Sequence, residues 1–362
     1  MSDDHRLRRA DAVGLWPSDC VGIRCPCPPC CTGIDASLKS KIIEDYPMSH
    51  SPLKAFATGL LFVSFGAQAW AAEETITLPV SSKPATATCQ PATATGDVPD
   101  VHLTRTFFDN FDKLDLSDKK WTPHYDGDYS WMTKRTLQGN KEQEIYVDPG
   151  YKGQGQKPVG INPFKIKDGV LSIIGDRTPD QFKQALYNYQ FTSGVLTTRQ
   201  SFSQTYGYFE MRAKIPAGKG LWPAFWLLPT DKNKWPPELD ILEVVGQQSD
   251  KMVMTAHWKA GGTGAYQHSG CRVPFAQATT GFHTFGVLWQ PDRLTWYIDR
   301  KPVQVLTTPP GYDIPMYMIV NLAIGGKMVG VADAETPLPA AFQIDKIAAY
   351  QIDGLPHPGA SK

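Results

Sequence analysis

From Val101 to Ile352 the chain is built of short apolar and aromatic runs separated by turn residues, and no long segment carries a helical or heptad period. Gly169–Ile174, Gly207–Ile215, Leu294–Ile298 and Ile344–Tyr350 are examples; each alternates over part of its length and is rich in β-branched or aromatic residues. In a strand successive side chains point to opposite faces, so such runs bury one face and wet the other. Many of them at short spacing predict an all-β fold, an antiparallel β-sandwich of the jelly-roll type. The helical candidates, such as Pro179–Leu186, are short and belong in loops.

The first hundred residues do not share this pattern. After Met48 come Lys54, an apolar run from Ala55 to Phe65, and small residues ending Ala69-Trp70-Ala71. That is the layout of a secretory signal peptide over 48–71, too short to span a bilayer. A leader belongs at the start of a chain, so residues 1–47 read as a mis-assigned extension. They hold five of the seven cysteines, but no His or second pair follows at zinc-site spacing. Residues 72–100 are Thr, Ala, Pro and Ser rich, the composition of a linker or extended arm. Cys89 and Cys271 remain after the leader; whether they are bridged stays open at this level. Residues 101–353 then form the principal domain, and 354–362 a tail. Thirty-six basic residues balance thirty-six acidic ones, which removes a broad electrostatic footprint for nucleic acid.

The informative stretch runs from Trp222 to Gly246 and centres on Glu238-Leu239-Asp240-Ile241-Leu242-Glu243. In a regular strand Glu238 and Asp240 share a face, and Glu243 turns to the core. A buried unpaired carboxylate is costly; one extra residue, a β-bulge at Ile241 and Leu242, returns Glu243 to the face of the other two. The outer Cα atoms would then stand about 13 Å apart. Inward-leaning side chains on a concave sheet would close the carboxyl groups to about 5 Å, the spacing of a retaining glycosidase. Three acids this close cannot all ionise freely, so one glutamate is expected to keep its proton near neutral pH. A solvated edge strand with incidental acids, or a divalent-cation site, are the alternatives. No calcium-loop spacing of Asn, Gly or further acid accompanies the motif.

This motif resembles the signature of glycoside hydrolase family 16, the laminarinase and β-glucanase family, in its bulged form. The resemblance extends to Tyr206–Arg212, Gly220–Trp226 and Asn321–Gly326, and more weakly to Phe107–Phe111 and Gly139–Tyr146. It implies a jelly-roll sandwich with an open concave cleft and endo cleavage, with residues 101–353 as the catalytic domain. On these positions Glu238 resembles the nucleophile, Asp240 its supporting carboxylate and Glu243 the acid/base. One departure stands at the rim: Pro237 precedes Glu238 where many laminarinases carry Gly.

Further candidates are weaker. Trp222 and Trp235 offer indole faces to a sugar ring, with packing in the core as the alternative. His257 is placed to bond an acidic group, and Asn140, Tyr189 and Asn321 to bond sugar hydroxyls. Asp345 lies in the last strand, where members of the family often hold a structural calcium ion; no cofactor is otherwise required. The expected protein is a secreted monomer, extracellular or periplasmic, free of the membrane once the leader is removed, whose partner is a polysaccharide. The expected reaction is hydrolysis of β-1,3 or β-1,3-1,4 glucan. A bacterial exopolysaccharide depolymerase of the succinoglycan type stands close behind, because Arg135–Asp148 and Asn162-Pro163-Phe164 are similar to that branch. A transglycosylase would keep the same residues, and a non-catalytic carbohydrate-binding sandwich would be expected to have lost one of the outer acids.

Overall fold

The computed structural model describes residues 74–81, 90–92, 99–125 and 134–356. The extension 1–47, the leader 48–71, Cys89 and the last residues of the tail lie outside them. The described strands are, in chain order, β1 (Thr75–Leu78), β2 (Gln90–Pro91), β3 (Val101–Asp109), β4 (Glu144–Tyr146), β5 (Phe164–Lys167) and β6 (Val170–Arg177). There follow β7 (Phe191–Ser193), β8 (Val195–Thr197), β9 (Gly207–Lys214), β10 (Leu221–Pro229), β11 (Glu238–Glu243) and β12 (Lys251–Lys259). The last are β13 (Tyr266–Pro274), β14 (His283–Trp289), β15 (Arg293–Ile298), β16 (Lys301–Thr307), β17 (Met316–Ile324) and β18 (Ala340–Ile352). The helical candidate condenses to a single turn, Asp180–Lys183. No described helix is long and apolar enough to cross a membrane.

Two sheets pack as a sandwich. The smaller has the order β13-β12-β11-β10-β17-β8, and the larger runs β2-β16-β15-β14-β9-β18-β6-β7-β4 with β1, β3 and β5 joined at its side. Pairing is antiparallel apart from β4 beside β7. Alternation decides which side chains meet between the layers. Leu239, Ile241 and Leu242 of β11 and Met252 and Met254 of β12 join Phe209, Met211, Val287, Trp296 and Ile344 of the larger sheet in one fully buried cluster. Burying such a side chain contributes roughly 1.5–3 kcal/mol before conformational entropy is charged against it.

Of the two readings open for the tract 72–100, linker or extended arm, its described residues take the second. Within it β1 pairs with β3 over Thr75–Leu78, and β2 pairs with β16. The physical reason is a short alternation that the surrounding Thr and Pro conceal: Leu78 and Val80 are buried against Tyr208, Leu288, Tyr297 and Tyr350 on the outer face of the larger sheet. Tyr297 anchors the same arm by donating its hydroxyl to the Pro79 carbonyl at 3.0 Å. Cys271, on β13, is disulfide-bonded.

Candidate active site

The register of β11 against its two neighbours places the acids. Glu243 pairs with Ala224 and Asp240 with Trp226, although two residues separate the acids and only one separates their partners. On the other side Asp240 pairs with Thr255 and Glu243 with Val253, so Ile241 and Leu242 together oppose Met254. Two residues facing one is a β-bulge. Both bulged residues are apolar and fully buried, so the core takes the doublet and Glu243 turns outward beside Asp240. Glu238 pairs with His257, whose parity puts it on that same face.

Each carboxylate has a named partner there. Trp235 Nε1 donates to Glu238 Oε2 at 2.5 Å, and Trp222 Nε1 donates to Glu243 Oε1 at 3.1 Å. His257 Nε2 and Asp240 Oδ2 are 2.9 Å apart, and His257 Nδ1 meets the Tyr266 hydroxyl at 2.5 Å. The backbone is pinned from below: Tyr312, buried in the core, donates its hydroxyl to the Glu238 carbonyl and accepts the His257 N–H. Trp296 reaches from β15 to donate to the Asp240 carbonyl at 3.0 Å, satisfying an acceptor at the bulge.

Electrostatics follow from this crowding. Burial, then the charge of Asp240, lifts Glu238 to about 7 against the opposing influence of His257 and Trp235. Asp240, only 3% exposed, is raised by burial. Glu243 is pushed well above the ordinary carboxylate range by burial and then by the charges of Asp240 and Glu238. Burial and like charge thus favour the protonated form of all three groups.

The remaining candidates divide. Trp222, Trp235 and His257 gather about the carboxylates. Asn321 pairs with Ala224, but it is buried and its Oδ1 accepts from Trp226 Nε1 while its Nδ2 donates to the Tyr146 hydroxyl. Both of those bonds are internal to the protein. Asn140 donates to Glu142 Oε1 at 3.1 Å. Tyr189 packs with Leu186 and Tyr187 in a separate cluster and meets none of the acids. Asp345 Oδ2 is held by Arg212 at 2.8 Å, and among the described residues it belongs to no group of three or more His, Cys, Asp or Glu side chains placed to share an ion. The described cluster of that kind is Glu238, Asp240 and His257. A cavity of about 860 Å³ lined by Arg135, Asp148 and Tyr151 contains none of the acids.

Several site residues escape the sequence reading. Tyr266 carries no motif signal, and Tyr312 and Trp296 look like ordinary core aromatics. Glu142 and Glu144, beside Asn140, form a second buried acid pair; Glu144 is pushed well up by burial and by the charge of Glu142. Their alternation in Glu142-Gln143-Glu144 is a signal that was available.

Residues 169–343 match the family model described as glycosyl hydrolases family 16. Among curated proteins, an endo-1,3-1,4-beta-glycanase, EglC, of Rhizobium meliloti (strain 1021) is 42% identical over 256 residues, 69% of this chain and 52% of the relative. The chain thus spans about half the length of that glycanase. A beta-glucanase of Rhodothermus marinus is 32% identical over 272 residues, 69% of this chain and 86% of the relative. Among solved structures, the laminarinase catalytic domain of Thermotoga maritima superposes with a TM-score of 0.55 at 27% identity, covering 69% of this chain and 98% of that one.

Proposed function

Because the chain belongs to glycosyl hydrolases family 16, we infer that it is an endo-acting, retaining glycoside hydrolase of β-linked glucans. The observation that carries this is the bulge at Ile241 and Leu242, which stands Glu243 beside Asp240 and Glu238 on one face. The Rhizobium and Rhodothermus relatives, named for 1,3-1,4-beta-glycanase and beta-glucanase activity, support β-1,3 or mixed-linkage glucan as substrate.

In this reading Glu238 attacks the anomeric carbon, and the carbon–oxygen bond to the leaving sugar breaks as Glu243 gives its proton to that oxygen. The glycosyl group is then an ester of Glu238. Glu243, now a carboxylate, takes a proton from water, and the resulting hydroxyl group displaces Glu238 with overall retention. Burial, and then the charge of Asp240 beside it, favour the protonated form of Glu243 before attack. The Rhizobium relative, named as an endo-acting glycanase, supports cleavage within a polymer.

The leader-like segment 48–71 and a polymeric substrate both favour export, and N-terminal sequencing of the protein recovered outside the cell would reveal cleavage after Ala71. The activity itself is tested by product analysis on laminarin, lichenan, a succinoglycan-type polymer and agar. Retained-anomer oligosaccharides from the first two are the expected result. Cleavage of the succinoglycan-type polymer alone would move the assignment to the exopolysaccharide branch, and no cleavage of any would overturn it.

A further inference from the structure

Three large hydrophobic side chains stand exposed among the described residues: Trp235 at 50%, Tyr266 at 49% and Val331. The first two lie against each other, ring centroids 6.1 Å apart and planes at 21°, although one precedes β11 and the other opens β13. Leaving two such rings half in water forgoes burial that the core would supply. Both are tied to the carboxylates instead: the indole of Trp235 to Glu238, and the hydroxyl of Tyr266 to the imidazole that holds Asp240.

The hairpin around Tyr266 suits this placement. His257 and His268 are cross-strand partners, so Tyr266, two residues before His268, shares their face. The three rings lie side by side with nearly parallel planes, Tyr266 5.8 Å from His257 and 5.7 Å from His268, and the two imidazoles 5.9 Å apart. β13 is the outer strand of its sheet, so nothing in the sheet lies beyond Tyr266. The turn before it carries Gly261 and Gly262 at positive φ, a backbone that favours glycine.

We propose that Tyr266 and Trp235 form a binding platform for one pyranose ring of the substrate at the β13 side of Glu238, and that Tyr266 also positions His257 against Asp240. The proposal rests on the hydrolase reading above for the identity of the ligand. Its chemistry is that of any flat aromatic surface facing the axial C–H groups of a β-linked sugar. Burial, and then the charges of all three acids, raise the Tyr266 phenol, as fits a ring that borders the same space.

The test is calorimetry with a β-1,3-glucan hexasaccharide on a catalytically idle Glu243→Gln protein, a change that touches neither ring. Tyr266→Ala and, separately, Trp235→Ala are expected to raise Kd by about threefold to tenfold, the range of one aromatic contact. Tyr266→Phe keeps the ring and is expected to hold Kd and KM. In the active enzyme it lowers kcat about threefold or more and alters the pH profile, because His257 loses the hydroxyl at Nδ1. No measurable binding, or a Kd unchanged in Tyr266→Ala, overturns the platform; an unaltered kcat and pH profile in Tyr266→Phe overturns the positioning role. Binding that depends on Tyr266 in a protein whose parent cleaves no glucan would sink the hydrolase reading and leave the platform standing.

Discussion

Trp296 crosses the core of the sandwich and donates its indole N–H to the carbonyl of Asp240 at 3.0 Å. One sheet thereby holds the other at the bulge, where the regular ladder leaves an acceptor to be satisfied. Trp296→Phe keeps most of the packing and removes that donor. The buried carbonyl should cost about 1–3 kcal/mol, a fall of several degrees in melting temperature. Because the bulge sets where Glu243 points, kcat should fall roughly tenfold to a hundredfold with KM little changed. A variant that melts and turns over like its parent would show that the bulge holds its shape without this bond.

Glu243 is assigned both protonation steps, so Glu243→Ala should lose most activity on a polymer, whose leaving oxygen needs a proton. With an aryl glycoside the first step needs no such help, and azide can replace water in the second. Activity on that substrate should recover by about tenfold or more as azide is added, with a glycosyl azide of retained configuration as product. Absence of any azide adduct would count against the role.

Trp235 donates to the group assigned as nucleophile and favours its ionised form. Trp235→Phe removes that donor, so the Glu238 pKa rises further. The nucleophile is idle while protonated; the acid limb of kcat/KM therefore moves to higher pH. Activity relative to the parent should fall severalfold more at pH 6 than at pH 8. A pH profile that merely scales down without shifting would remove this bond from the account.

Asn321 lies in a stretch where a sugar-binding role was expected, but it links Trp226 to Tyr146, and Tyr146 in turn donates to Glu142. Asn321→Ala strands an indole and alters a buried chain ending in an acid pair. A loss of about 2–4 kcal/mol in stability is expected, with KM for glucan changed less than twofold. Urea unfolding and steady-state kinetics on the same preparation separate the two; a large rise in KM at unaltered stability would restore the sugar-binding role.

What could be read beforehand was local. Ile241 and Leu242 are adjacent and apolar between two acids, and an apolar doublet in an alternating strand has one economical solution, the bulge. Leu78 and Val80 carried the same kind of signal, but only two buried positions amid Thr and Pro are too few to distinguish an arm from a linker. Tyr266 lies on an edge strand with most of its residues exposed, so no periodicity marks it. Tyr312 and Trp296 act through one polar atom each on the backbone of a distant strand. Such contacts join residues 56 and 74 positions apart, and only the folded chain brings them together.

Crowding the acids on one face has a cost that stability should report. Burial and Asp240 raise Glu238 from its ordinary 4.5 to about 7. Below pH 4.5 the group is protonated in both folded and unfolded chains and exerts no pH-dependent effect. Between 4.5 and 7 the unfolded chain ionises first, so it gains relative to the fold and stability declines as pH rises. Above 7 both are ionised and the loss is complete, at roughly 3 kcal/mol for a shift of this size. Glu238→Gln has no proton to lose at this position. Its melting temperature should therefore lie closest to the parent near pH 4 and exceed it by several degrees at pH 8, in thermal scans at matched ionic strength. Curves that stay parallel across this range would mean that Glu238 titrates in the fold as it does in water, and the crowded carboxylate face would lose its electrostatic basis.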